Sequence, residues 1–142
     1  LRCLLKEDAR FLVVGAHAMA AHGVPRATGD IDIWIDRENP NAGRVFQALA
    51  NFGAPLAALN ISLADLSTPE GVIQIGLPPR RIDILTSISG VDFHSAWERR
   101  VTFRFSDLMV PVLGRADLIT NKRAAGRPKD LADVSILEPE PR

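Results

Sequence analysis

Cysteine is nearly absent from this chain: Cys3 stands alone among 142 residues, and there is no tyrosine at all. A single thiol excludes a disulfide framework and any zinc centre built on cysteines, and it fits a reducing compartment such as the cytoplasm. Net charge is absent too, with 17 basic residues against 17 acidic, so bulk charge alone would not capture nucleic acid. No apolar run is long enough to cross a bilayer. Phe11 to Ala21 has the outline of a signal peptide, but Glu7, Asp8 and His17 interrupt that pattern. The expectation is a cytoplasmic protein without a membrane partner. Repeats and low-complexity segments are missing as well. The first residue is Leu1 rather than Met, which leaves room for native sequence upstream.

What is present amounts to one domain over residues 1–138, with Pro139 and Pro141 marking 139–142 as a frayed, flexible tail. Phe11-Leu12-Val13-Val14 reads as a buried strand ending at Gly15, and Ala16 to His22 as a short helix stopped by Gly23 and Pro25. A strand over 30–35 and a helix from about Asn41 to Phe52 follow. Turn residues crowd 53–70 around a short helix. Val72–Ile75 and Arg81–Ile88 read as a hairpin, then come a helix over 91–99 and strands at 101–105 and 109–112. Two helices close the domain, 115–125 stopped by Gly126 and 128–137 opened by Pro128. This order predicts an α+β fold, a mixed sheet with helices packed on one face and two C-terminal helices.

Against that background Asp30-Ile31-Asp32-Ile33-Trp34-Ile35 stands out. Side chains alternate along a strand, so Asp30 and Asp32 share one face while the isoleucines fill the other. Asp is depleted in strands, and two like charges on one face repel. A cation between them resolves the conflict, and hard carboxylate oxygens suit Mg²⁺. Arg81-Ile82-Asp83-Ile84 repeats the alternation with a third acid. If the two strands are neighbours, three carboxylates converge, as a two-metal phosphoryl-transfer site requires. Asp30 and Asp32 would then bridge the ions, and Asp83 would complete the one that activates the nucleophile. Charge is also uneven: residues 26–38 carry two basic groups against four acidic, and residues 114–130 five basic against two acidic. An acidic patch for metal and a basic patch for phosphate are both available.

These pieces together resemble the nucleotidyltransferase superfamily that includes DNA polymerase β. The matching stretch is Val13-Val14-Gly15-Ala16, thirteen residues, then Asp30-Ile31-Asp32-Ile33, with Asp83 as the later lone acid. The segment Arg26-Ala27-Thr28-Gly29-Asp30-Ile31-Asp32 and the tail Asp117-Leu118-Ile119 to Lys122, then Arg127-Pro128-Lys129-Asp130-Leu131-Ala132-Asp133, look most like small bacterial members, including abortive-infection-type toxins. The resemblance runs from about Phe11 to Leu137. It implies transfer of a nucleoside monophosphate from an NTP such as ATP, with two Mg²⁺ ions held by Asp30, Asp32 and Asp83. Gly15 and Ala16 would cradle phosphate, Thr28 would hydrogen-bond it, and Lys122 would meet the triphosphate charge, with Arg26, Arg127 and Lys129 behind it. Ala16 departs from the family's usual Gly or Ser. It keeps the backbone N–H but lacks a hydroxyl and restricts φ. The acceptor would be a tRNA end, a protein or a small hydroxylated molecule. So small a chain implies that a homodimer mate or a partner protein supplies one wall.

Other readings compete. Asp30 and Asp32 could line a solvated edge strand, and Gly15 could be a plain strand-end turn. Asp36 follows Gly15 at the ribose-binding offset of a dinucleotide fold, although His17 and Ala20 stand where that fingerprint needs glycine. A phosphatase with a DxD nucleophile is a further option. A regulatory nucleotide binder, such as a toxin–antitoxin component that keeps the fold without turnover, is the competing class. His17 and His22 do not share a helix face and read as incidental. Trp34 lies on the Asp face and reads as packing under a loop. Asp130 and Asp133 read as helix caps or salt bridges.

Overall fold

Phe11-Leu12-Val13-Val14 offers the solvent no polar side, and in the computed structural model it forms β1 (Phe11–Val14), buried at every residue. Such a strand needs neighbours on both edges. β2 (Ile31–Ile35) pairs with it antiparallel, placing Phe11 opposite Ile35 and Val14 opposite Asp32, while β6 (Leu108–Val112) runs parallel to it through Val13 and Val112. Beyond β2 lies β4 (Ile82–Leu85), parallel to it. The edges are β3 (Val72–Ile75), antiparallel to β4, and β5 (Val101–Phe105), antiparallel to β6. The mixed sheet has six strands in the order β3-β4-β2-β1-β6-β5. Residues 1–138 are described, and the tail expected over 139–142 lies outside them.

Seven helices among the described residues complete the α+β fold: α1 (Arg2–Lys6), α2 (Gly15–Ala21), α3 (Asn41–Phe52), α4 (Leu63–Ser67), α5 (Phe93–Glu98), α6 (Arg115–Ala125) and α7 (Pro128–Leu137). The alternation in β2 decides which helices meet which face. Ile33, with Ile82 and Ile84 of β4, meets Leu4 of α1 and Leu49 and Phe52 of α3 around a small apolar cavity. Trp34, on the Asp face, packs edge to face on Phe93 of α5 at 5.0 Å between ring centroids. The C-terminal pair folds back on itself, with Leu118 of α6 and Leu137 of α7 fully buried.

Four features depart from the sequence reading, the first being that helices meet both faces of the sheet rather than the one expected, with α1 and α3 on the Ile33 side and α5 on the Trp34 side. α1 was not anticipated. Its five residues carry no side-chain cap, and a helix this short is held by tertiary contacts, here those with α3. β4 ends at Leu85 rather than Ile88, because Thr86 turns to exchange hydrogen bonds with Gly71 and Ile88 makes only an isolated bridge to Val91. The antiparallel pairing of β1 with β2 removes the dinucleotide-binding alternative, which needs consecutive parallel strands around a helix. Asp36 is buried and accepts a hydrogen bond from the Glu38 N–H at 3.1 Å.

Candidate functional site

β2 and β4 are parallel neighbours in a register that sets Ile31 beside Ile82 and Asp32 beside Asp83. Their isoleucines point into the core, so Asp30, Asp32, Arg81 and Asp83 share the opposite face. Asp83 is 8% exposed, which is unusual for a carboxylate, and buried charges need partners. Arg81 supplies them. Its Nε donates to Asp83 Oδ1 at 2.7 Å and its Nη2 to Oδ2 at 3.1 Å. The Arg81 backbone N–H donates to Asp30 Oδ1 at 2.8 Å. Asp32 has no such relief: burial, and after it the charge of Asp83, hold its carboxyl above the usual carboxylate range, against an opposing pull from Arg81.

The turn from β1 into α2 presses on this cluster. Gly15 has a φ of +65°, and a Cβ there would overlap Asp32 Oδ2. The backbone bends at Gly15, so Ala16 sits in ordinary helical conformation and the φ restriction expected of it does not arise. Gly15→Ala should cost about 1–2 kcal/mol for the left-handed conformation alone, and it should push the Asp32 carboxylate from its place. We expect a lower urea midpoint together with loss of the nucleotidyl transfer that the sequence resemblance implies, under conditions where the variant is still folded. Full activity in a folded Gly15→Ala would mean that Asp32 does not work from this position.

The loop before β2 is held from several sides. Thr28 Oγ1 accepts from the Asp30 N–H at 3.1 Å, so this hydroxyl already orients the first acid of the pair. A Cβ on Gly29 would overlap the Pro79 carbonyl oxygen, which shows how closely the loop lies against the β3–β4 hairpin tip. Arg26 is ion-paired with Asp133 of α7. Lys122 of α6 shares that partner at 3.0 Å and reaches Asp130 at 3.5 Å. Asp130 is fully buried. Burial would push it up, but the hydrogen bond from Arg127 and the charges of Arg127 and Lys122 bring it below its ordinary value. Asp130 and Asp133 are thus salt-bridging helix residues, as their sequence context suggested.

The remaining sequence candidates are structural in their contacts. His22 Nε2 lies 2.7 Å from the Leu113 carbonyl, and its ring meets Phe103 edge-on, while His17 lies tilted on Phe105. Trp34 is 2% exposed and packs within the fold. Lys129 is exposed, and Arg127 spends its guanidinium on Asp130. The residue the sequence reading passed over is Arg81. The signal was there, since it stands two positions before Asp83 and therefore on the same face.

Residues 2–137 match a family model described as "Nucleotidyltransferase of unknown function (DUF6036)". No curated protein matches the chain. Among solved structures it is similar to one from Thermotoga maritima described as a "putative nucleotidyltransferase". The identity is 19% and the TM-score 0.63, over 92% of this chain and 83% of that one. At that identity the likeness speaks for a shared fold.

Proposed function

The chain belongs to that family of nucleotidyltransferases of unknown function, and from this premise we propose that it moves a nucleoside monophosphate from an NTP to an acceptor hydroxyl. The observation that carries the reading is the cross-strand pair Asp32 and Asp83 with Asp30 on the same face. Three carboxylates on one face, one of them held above its usual range by burial and by its neighbour's charge, offer the hard oxygens that suit a divalent cation such as Mg²⁺. Their ligand atoms do not all lie within 4.8 Å of one another while Arg81 holds Asp83. Asp30, Asp32 and Asp83 would hold the ions. Bound there, the ions supply Lewis acidity, which activates the acceptor hydroxyl and neutralises the phosphates. The acceptor oxygen bonds to the α-phosphorus, the bond to the bridging oxygen breaks, and pyrophosphate leaves. Asp83 takes the acceptor's proton. Gly15 and Ala16 present the β1–α2 turn to phosphate, and Thr28 keeps Asp30 in orientation.

Lys122 remains our choice for the triphosphate charge, through its proximity to Arg26 across Asp133. A triphosphate must compete there with two carboxylates. Lys122→Ala should therefore do two things. It should destabilise the chain by about 1–3 kcal/mol, because a buried Asp130 loses one of its two cationic partners. It should also weaken NTP binding and make what remains less sensitive to salt. A stability loss with unchanged NTP affinity would leave Lys122 a purely structural residue.

A second reading is a regulatory nucleotide binder without turnover, in the manner of a toxin–antitoxin component. The bidentate hold of Arg81 on Asp83 favours it, since both oxygens of the third acid are engaged. Labelled NTPs with Mg²⁺, offered with total RNA, cell extract and small hydroxylated compounds, separate the two. The enzyme labels an acceptor or releases pyrophosphate, whereas the binder gives saturable retention only. No helix among the described residues is long and apolar enough to cross a membrane. A homodimer mate or partner protein supplying the acceptor wall completes this proposal.

A further inference from the structure

Among the described residues Arg81 is the one bonded to two of the three carboxylates, and it uses different parts of itself for each. Its backbone N–H fixes Asp30, and its guanidinium takes both oxygens of Asp83. The two side chains differ in freedom. That of Asp83 is 11% exposed and sits on a paired strand, whereas that of Arg81 is 28% exposed and stands at the strand's open end on a long stem. Of the two, the guanidinium is the group free to leave. A cation coordinated by Asp83 would need an oxygen that the guanidinium now occupies, so the two compete for one carboxylate.

Resting on the nucleotidyl-transfer reading, we infer that Arg81 couples metal binding to nucleotide binding, by guarding Asp83 until a triphosphate offers its guanidinium a replacement partner. Phosphate oxygens suit that exchange, because the planar fork of a guanidinium pairs with phosphate as readily as with carboxylate. Metal alone must displace Arg81 with no compensation. Metal with NTP displaces it onto the phosphates. The two ligands then bind with positive cooperativity, and by linkage each raises the other's affinity by the same factor. The device would keep a divalent ion from settling in the site without substrate.

The test is titration of the full chain with Mn²⁺, read by the loss of free-ion paramagnetic signal, with and without a nonhydrolysable ATP analogue whose own Mn²⁺ binding is measured in a protein-free titration and subtracted. For the wild type, the analogue should tighten Mn²⁺ binding about tenfold or more, the scale of a charge-assisted hydrogen-bonded pair. Arg81→Gln should bind Mn²⁺ alone about tenfold more tightly than wild type and lose most of the coupling to the analogue. Arg81→Lys, a point charge without the fork, should fall between them, and it carries the test if the Gln variant does not fold. Mn²⁺ affinity that Asp32→Asn abolishes but that neither Arg81 variant raises would overturn this inference alone. Mn²⁺ affinity indifferent to Asp32→Asn would overturn the nucleotidyl-transfer reading and this inference with it.

Discussion

Asp83→Asn is expected to leave the fold intact and to cut nucleotidyl transfer by about 10²-fold or more. The substitution is isosteric, and the β2–β4 and β3–β4 ladders that fix residue 83 run through the backbone. The amide oxygen can still accept from Arg81. What disappears is one negative charge and the second hard oxygen. Two local changes offset each other in stability: Asp32 loses a repelling neighbour, and Arg81 loses the carboxylate that both its donors now hold. The urea midpoint should therefore move little. Turnover should not be spared, because the group that would hold the nucleophile-activating ion and receive its proton is gone. Pyrophosphate release measured beside the unfolding curve decides the matter. Wild-type turnover in the folded variant would remove Asp83 from the site.

Asp32→Asn has the second large effect, and its sign separates function from scaffolding. In the folded chain, burial first and the charge of Asp83 second raise the Asp32 pKa. A carboxyl whose folded pKa lies above its unfolded one binds protons more tightly in the native state. Stability is then greatest below the ordinary carboxylate pKa and falls as pH rises through the folded value. The wild type should lose stability across that window, and Asp32→Asn should not. In EDTA near neutral pH the variant should melt at or above the wild type. With Mg²⁺ and a nonhydrolysable NTP the order should reverse: the wild type gains about 2.7 kcal/mol at a ligand concentration of 100 Kd, and the variant gains little. A carboxylate that served only to receive structural hydrogen bonds would behave oppositely, with a loss of about 1–3 kcal/mol in either buffer. Thermal melts of both proteins in both buffers read the difference directly. A variant that melts well below wild type in EDTA, with no ligand response in either protein, would defeat the metal-site reading.

Much of the candidate site's geometry was written locally. Period-2 alternation in Asp30–Ile35 and Arg81–Leu85 places acids on one face whatever the strands pair with, because the pleat alone decides it. The turn at Gly15, the stop at Gly126 and the opening Pro128 are equally local, and the strands and long helices fell close to where these signals put them. Arg81 was legible by the same alternation, yet only the structure gave its side chain a partner and so a role.

Other decisions required the assembled sheet. That Asp32 stands beside Asp83 depends on β2 and β4 becoming parallel neighbours in one register across some fifty intervening residues. Register follows from burying Ile33 and Ile84 together against α1 and α3, which no short window of sequence contains. Lys122 tells the same story. The resemblance implied a phosphate contact for it, and the folding of α7 back on α6 placed Asp130 and Asp133 within its reach. The five residues of α1 are too short to form a helix by propensity, so α1 exists because α3 offers a surface to Leu4. The sequence by itself determined which residues share a face and where the chain turns, since those depend on bonds and sterics within a few residues. The tertiary structure alone decided which faces meet and which charges neutralise one another, since those depend on what the whole core buries.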